Sequence, residues 1–278
     1  MKKLWFVLLI SILLVSNALA EEKPAYREPE FNLDHFKAYK IENVKAKKPK
    51  EVTVKDQFIE KPETLKPELI KFIILPVSKK IDKKISPILN KQNHLAWNPL
   101  RKDTSEIKFA FSNQFTNFKF TEMVVKKLRA ILVPTEKIEK GSEFPEKLDH
   151  YLCYQRIKGE RTTKTVTLGD QFQEEVTTKA TGPEYFCVPC SKDGKEIKNK
   201  ADHLAVYVLG RGKSAGKSIS IQNQFGDQSF DVKDQIFLLV PSKKKYPLPE
   251  WEEGLFAGAP QEAEAISETG ITTLAAAS

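Results

Sequence analysis

Apolar residues recur at every second position in four stretches of the chain: Val52 and Val54, then Ile107, Phe109 and Phe111, then Val166 and Leu168, then Ile219 and Ile221. A period of two turns one face of an extended backbone toward a core, so each stretch predicts a β-strand. A second alternating stretch follows a Gln-Phe pair, as with Phe118 and Phe120 or with Phe230 and Val232 after Gly226-Asp227, and predicts a hairpin. A third stretch is apolar without alternation, at Phe72 to Leu75, Ala130 to Val133 and Ile236 to Val240, and a proline closes each. Continuous apolar runs of that length predict strands buried on both faces. No sustained helical period occurs in residues 21–245, although 62–69 and 121–128 have room for short helical turns.

These stretches follow one order four times. Each copy opens on Asp or Asn before His (Asp34-His35, Asn93-His94, Asp149-His150, Asp202-His203). It continues to Gln-Phe (Gln57, Gln114, Gln171 and Gln224, with Phe58, Phe115, Phe172 and Phe225) and ends at Pro76, Pro134, Pro189 or Pro241. The steps between histidines are 59, 56 and 53, and all four histidines of the protein occupy this one position. Self-similarity at a fixed period marks a tandem array. A unit of roughly 55 residues buries too little surface to be stable alone, so units must share a core. The predicted class is all-β, with four tandem units pairing into two pseudo-symmetric β-barrel or sandwich domains. The first domain covers 33–142 and the second 143–245, divided where Gly141 and Pro145 interrupt a Lys-rich linker. One continuous four-unit array is the alternative.

The ends read differently. Lys2 and Lys3, the apolar run Leu4 to Val15 and the small-residue site Ala18-Leu19-Ala20 predict a cleaved signal peptide over 1–20. A linker covers 21–32. From Tyr246 the composition shifts to Pro, Glu, Ala, Gly and Thr, an acidic low-complexity tail over 246–278 in which Trp251 and Phe256 are the features able to dock. The tail holds six glutamates and no Lys or Arg, so residues 21–245 carry a net charge of +12, which the total of +8 understates. No run after the signal could cross a bilayer as a helix. Export places the chain in an oxidising periplasmic or extracellular space.

The chemistry on offer is thin. Asp56 and Asp170 precede the Gln-Phe pair in two units, but Asn113 and Asn223 stand there in the others, which argues against paired-carboxylate catalysis. Four equivalent histidines invite a metal site, yet symmetry-related positions lie apart, and His35, His94, His150 and His203 read better as structural markers beside a turn-capping Asp or Asn. Gln57, Gln114, Gln171 and Gln224 read as buried amides that bond to backbone. The Gly210–Ser218 stretch lacks GxxxxGK[ST] and reads as a hairpin loop. No cofactor is implied. Lysine clusters at 45–50, 79–84 and 243–245 carry few interleaved aromatics, which suits anionic envelope polymers or another envelope protein and disfavours nucleic acid.

The order Asp-His-aromatic-x-Cys-Tyr, Val-Thr-x-x-Asp-Gln-Phe and Cys-x-Pro resembles a tandem domain of unknown function in secreted bacterial and some archaeal proteins, whose units read HYKCYK, DQFG and LCVP. The third unit matches best, through His150, Cys153, Tyr154, Asp170, Gln171, Phe172, Cys187 and Pro189. The resemblance implies an exported β domain and no activity. Within the repeat, Cys153 stands where the other units have Ala38, Trp97 and Val206, and Cys187 where they have Ile74, Leu132 and Leu239. Facing core positions filled once by a disulfide and otherwise by hydrophobic contact account for this. Cys190 is left as a free or redox thiol, with Cys187-Val188-Pro189-Cys190 as the rival redox pair. The expected function is a non-catalytic structural or binding module of the bacterial periplasm or cell surface. The alternative is an envelope enzyme using the cysteine pair or a site between units.

Overall fold

The structure, a computed structural model, describes residues 31–248. The expected signal peptide, most of the N-terminal linker and the tail beyond Leu248 lie outside the described residues. The fold is nearly all β. Unit 1 supplies β1 (His35–Ala46), β2 (Val52–Lys55), β3 (Glu63–Leu65), β4 (Phe72–Ile81) and the short β5 (Lys84–Ser86). Unit 2 supplies β6 (His94–Ser112) and β7 (Thr121–Lys137), and unit 3 supplies β8 (His150–Gly159), β9 (Thr162–Gly169) and β10 (Val176–Lys192). Unit 4 supplies β11 (His203–Leu209), β12 (Lys217–Asn223) and β13 (Gly226–Lys245).

Eight strands close into a ring. Within each unit the strand that opens on His pairs antiparallel with the strand that carries the motif proline: β1 with β4, β6 with β7, β8 with β10, and β11 with β13. Between units the proline strand pairs with the next His strand: β4 with β6, β7 with β8, β10 with β11, and β13 back to β1. The predicted hairpins wrap the outside of this ring, formed by β9 with β10, β12 with β13, β2 with β3, and the second half of β6 with β7.

The ring strands are buried on both faces, as the unbroken apolar runs of the proline strands require. One face gathers Phe36, Ile74, Trp97, Leu132, Cys153, Val206 and Leu239 into a single cluster. Trp97 of β6 stacks 5.7 Å from Phe237 of β13 and meets Tyr185 of β10 edge-on at 5.4 Å. Each of these strands is three places from β6 around the ring, so the contacts pass through its middle. Closing eight strands leaves an interior that side chains just fill. The opposite face, with Tyr39, Ile73, Val133, Tyr154, Phe186, Tyr207 and Val240, packs beneath the outer hairpins. Each large apolar side chain so buried contributes about 1.5–3 kcal/mol. A lone unit would leave both faces bare.

The expected boundary near residue 142 falls in the turn between β7 and β8, and these strands pair from Met123↔Gly159 to Leu132↔Tyr151. The pairing thus runs unbroken from unit 2 to unit 3, and all four units share one ring instead of closing as two domains. A second pattern crosses it. The end of each proline strand pairs with an outer strand two units away: β4 with β9, β7 with β12, β10 with β2, and β13 with β6. The regions expected to allow helical turns are extended, in β3 and β7. The Gly210–Gly216 loop crosses from ring strand β11 to outer strand β12, which do not pair with each other, so it is no hairpin loop.

Candidate functional site

The residues that recur in the sequence meet where units touch. Each Asp or Asn before Gln-Phe closes a tight turn by accepting backbone N–H groups. Asp56 accepts from Phe58 (2.8 Å) and Ile59 (3.0 Å), Asn113 from Phe115 and Thr116, Asp170 from Phe172 and Gln173, and Asn223 from Phe225. Short polar side chains hold such turns because their oxygen reaches the backbone two and three residues on. The same side chain then reaches a unit two places away. The Tyr154 hydroxyl donates to Asp56 (2.8 Å), the Tyr39 hydroxyl donates to Asp170 (2.7 Å), and Asn113 donates to the Tyr207 hydroxyl (3.1 Å). The motif phenylalanine packs on the same tyrosine ring: Phe58 on Tyr154 at 5.2 Å, Phe115 on Tyr207 at 4.1 Å and Phe172 on Tyr39 at 5.6 Å. In unit 2 the tyrosine position holds Asn98, and Asn223 bonds Thr135 instead (2.9 Å).

A second cluster joins successive units. Lys79, Lys137, Lys192 and Lys244 each lie three residues past the motif proline. Lys79 donates to Gln114, Lys137 to Gln171 (2.7 Å) and Lys244 to Gln57. The same three ammonium groups sit over the motif rings, Lys79 over Phe115 (5.9 Å), Lys137 over Phe172 (5.7 Å) and Lys244 over Phe58 (4.8 Å). The glutamine also reaches the histidine of the preceding unit, Gln171 to His94 Nε2 (2.8 Å) and Gln224 to His150 Nε2 (3.3 Å). Gln57, Gln171 and Gln224 are exposed amides clamping a neighbour's lysine or histidine, and not the buried amides expected, though Gln57 also donates to the Lys200 carbonyl (3.5 Å). The reason is the turn itself, which aims the residue after Asp or Asn outward.

Burial governs the electrostatics. Desolvation pulls His94 and His150 down to about 4 and His203 to about 3, and His35 well below its ordinary value, so all four imidazoles are neutral at pH 7. Desolvation also lowers Lys79 to about 7 and raises Asp56 to about 6, against the opposing hydrogen bonds from Tyr154 and the turn amides. Asp170 has a nearby cation: Lys37 lies 2.7 Å away, with both side chains fully enclosed. Lys37 stands where the other units have Ala96, Leu152 and Ala205. The opening carboxylates face the next linker. Asp34 accepts from the Leu89 and Asn90 amides, Asp149 from Lys198 and Asn199, and Asp202 from Asn32, which ties unit 4 to the start of unit 1.

Cys153 and Cys187 are joined by a disulfide and stand directly opposite each other in the β8–β10 ladder, in the ring interior. Cys190 is free and buried on the outer face of β10, where desolvation raises its thiol well above its ordinary value. The rival Cys187–Cys190 pair therefore points to opposite sides of one strand. Among the described residues no three His, Cys, Asp or Glu side chains gather as metal ligands, and no helix is long and apolar enough to cross a membrane. The surface carries clefts of about 440 to 930 Å³ beside the outer hairpins. Two residue sets carry the contacts without having been read as sites: the tyrosine four places after the histidine, and the lysine three places after the proline. Both were visible as repeat positions.

Fold and turns together define an all-β tandem-repeat protein whose copies clasp one another. Residues 118–238 match the family model of a repeat of unknown function (DUF7450), from the start of the unit 2 return strand, through unit 3, into β13. No curated protein and no solved structure matches the chain.

Proposed function

We propose that the protein is exported and serves as a non-catalytic structural or binding module of the bacterial periplasm or cell surface. The observation that carries this reading is the fate of the recurring polar residues. Asp56, Asn113, Asp170, Gln57, Gln114, Gln171 and their tyrosine and lysine partners bond another unit, which leaves no recurring constellation for chemistry among the described residues. The signal-like segment at 1–20, the disulfide and the basic body support an envelope location and an anionic partner. The test is fractionation of the host, followed by capture of envelope partners with residues 21–278 at low and high salt. Cleavage after Ala20, recovery in the envelope fraction and loss of partners at high salt are expected. Retention of the uncleaved chain in the cytoplasm, or partners that persist in high salt, would overturn the reading.

A further inference from the structure

The four seams between units are not equal. In three of them the pairing continues outward from the ring, along β7 and β8 to Met123, along β10 and β11 to Ala180, and along β13 and β1 to Gln228. At the fourth, β4 pairs with β6 only from Phe72 to Ile74. Beyond that, two backbone bonds cross, from the Lys71 amide to the Trp97 carbonyl (2.9 Å) and from the Glu68 amide to the Pro99 carbonyl (2.8 Å), and side chains link Asn98 to the Glu68 carbonyl (3.0 Å), Arg101 to Glu68 (2.7 Å) and Lys102 to Glu63. β3 then pairs on one side only, with β2. Sequence explains the gap: Pro99 has no N–H to give, and Pro62 and Pro67 flank β3. Between β3 and β6 lies a cleft of about 510 Å³ with Phe58, Ile59, Ile107 and Leu128 at its floor and Glu63 and Lys102 at its rim. An unpaired strand edge beside an apolar floor is a template for an added strand.

The chain's own C-terminal segment starts at this place. Tyr246 packs edge-on against Phe58 at 5.0 Å, Lys244 lies 4.8 Å from both rings, and Leu248 is buried. Thirty residues follow, beginning Pro249-Glu250-Trp251-Glu252-Glu253. Glu250-Trp251-Glu252 alternates acidic and aromatic with the period of a strand, and Trp251 is within roughly 10 Å of Leu248 along an extended backbone. Its charge is opposite to that of the body. We propose that residues 249–252 fill the open seam as a strand added to the free edge of β3, with Trp251 on the apolar floor and Glu250 and Glu252 on the opposite face, toward Lys61 at the rim.

Residues 21–278 hold two tryptophans, Trp97 in the ring interior and Trp251, so the difference in emission between wild type and Trp251→Ala reports Trp251 alone. The expected results are a blue-shifted difference spectrum and exchange of the outward-facing amides of Glu63–Leu65 that quickens about tenfold or more in Trp251→Ala and in Glu250→Lys/Glu252→Lys. Both sets of changes follow Lys245, the end of the last ring strand, in sequence and leave the ring's folding intact. A solvent-like difference spectrum, or equal exchange in all three proteins, would overturn the proposal. Protection that grows with protein concentration would overturn it as well, since the strand would then come from a second copy.

Discussion

The turns of units 1 and 2 share a geometry and differ by one atom in charge. Asp56 and Asn113 each accept the amides two and three residues on, and each meets a tyrosine from two units away, Tyr154 or Tyr207. Asn113 also donates to Ser242 (2.9 Å), where unit 3 has Cys190. What the fold needs at this position is the turn-closing oxygen and a partner for the distant hydroxyl. A charge is not needed, and at Asp56 it is buried at a cost that Asn113 avoids. At Asp170 the nearby Lys37 compensates it.

The largest effect is expected from removing the neutral version. Asn113→Ala strips partners from the Phe115 and Thr116 amides, Tyr207 and Ser242, and should lower the unfolding free energy by roughly 3–5 kcal/mol in urea titrations. Asp56→Ala should lose clearly less at pH 8, because it also removes a buried charge; equal losses would break the comparison. The same reasoning applies to Cys153 and Cys187 against Val206 and Leu239 of unit 4. The double change Cys153→Val/Cys187→Leu frees a loop closed across 34 positions, and the chain-entropy account puts the loss near 3–4 kcal/mol. Packing like that of unit 4 should return part of it. A measured loss near zero in the same titration would show that the bridge constrains little.

Asp56→Asn gives the smallest and most specific effect. Asp56 in the folded chain holds its proton up to about pH 6, above the ordinary 3.8. Its contribution to stability is therefore present below about pH 4 and lost as pH rises through 6. Asp56→Asn should accordingly be more stable than wild type at pH 8, by up to about 3 kcal/mol, and the gain should vanish by pH 4. Taking the difference between the two proteins at each pH removes the separate acid response of the four histidines. A constant difference across that range would contradict the burial argument.

The strands were legible in part because period-two runs and unbroken apolar runs differ in the sequence; the unbroken runs fall in the proline strands β4, β7 and β13, whereas β1, a ring strand that opens on His, is interrupted by Lys37 and Lys40. The histidines and the Asp or Asn positions were legible as turn and strand-entry markers for the same reason of local chemistry. Which unit pairs with which was not. A strand buried on both faces has no preferred neighbour in its own pattern, and the Gly141–Pro145 linker that suggested a boundary joins two strands that pair. The partners of Asp56 and Gln57 sit roughly 100 and 190 residues away, at Tyr154 and Lys244. The repeat held the clue, since Tyr39, Tyr154 and Tyr207 break symmetry only at Asn98, and the seam beside Asn98 is the open one.

Four units close into one ring. Cross-strand NMR contacts in a single sample of residues 21–278 test it most directly. The ring predicts Lys37 against Leu238 across β1 and β13, together with Ile131 against Leu152 across β7 and β8. Absence of either set from the folded protein, with the pairs inside each unit still present, would contradict the account.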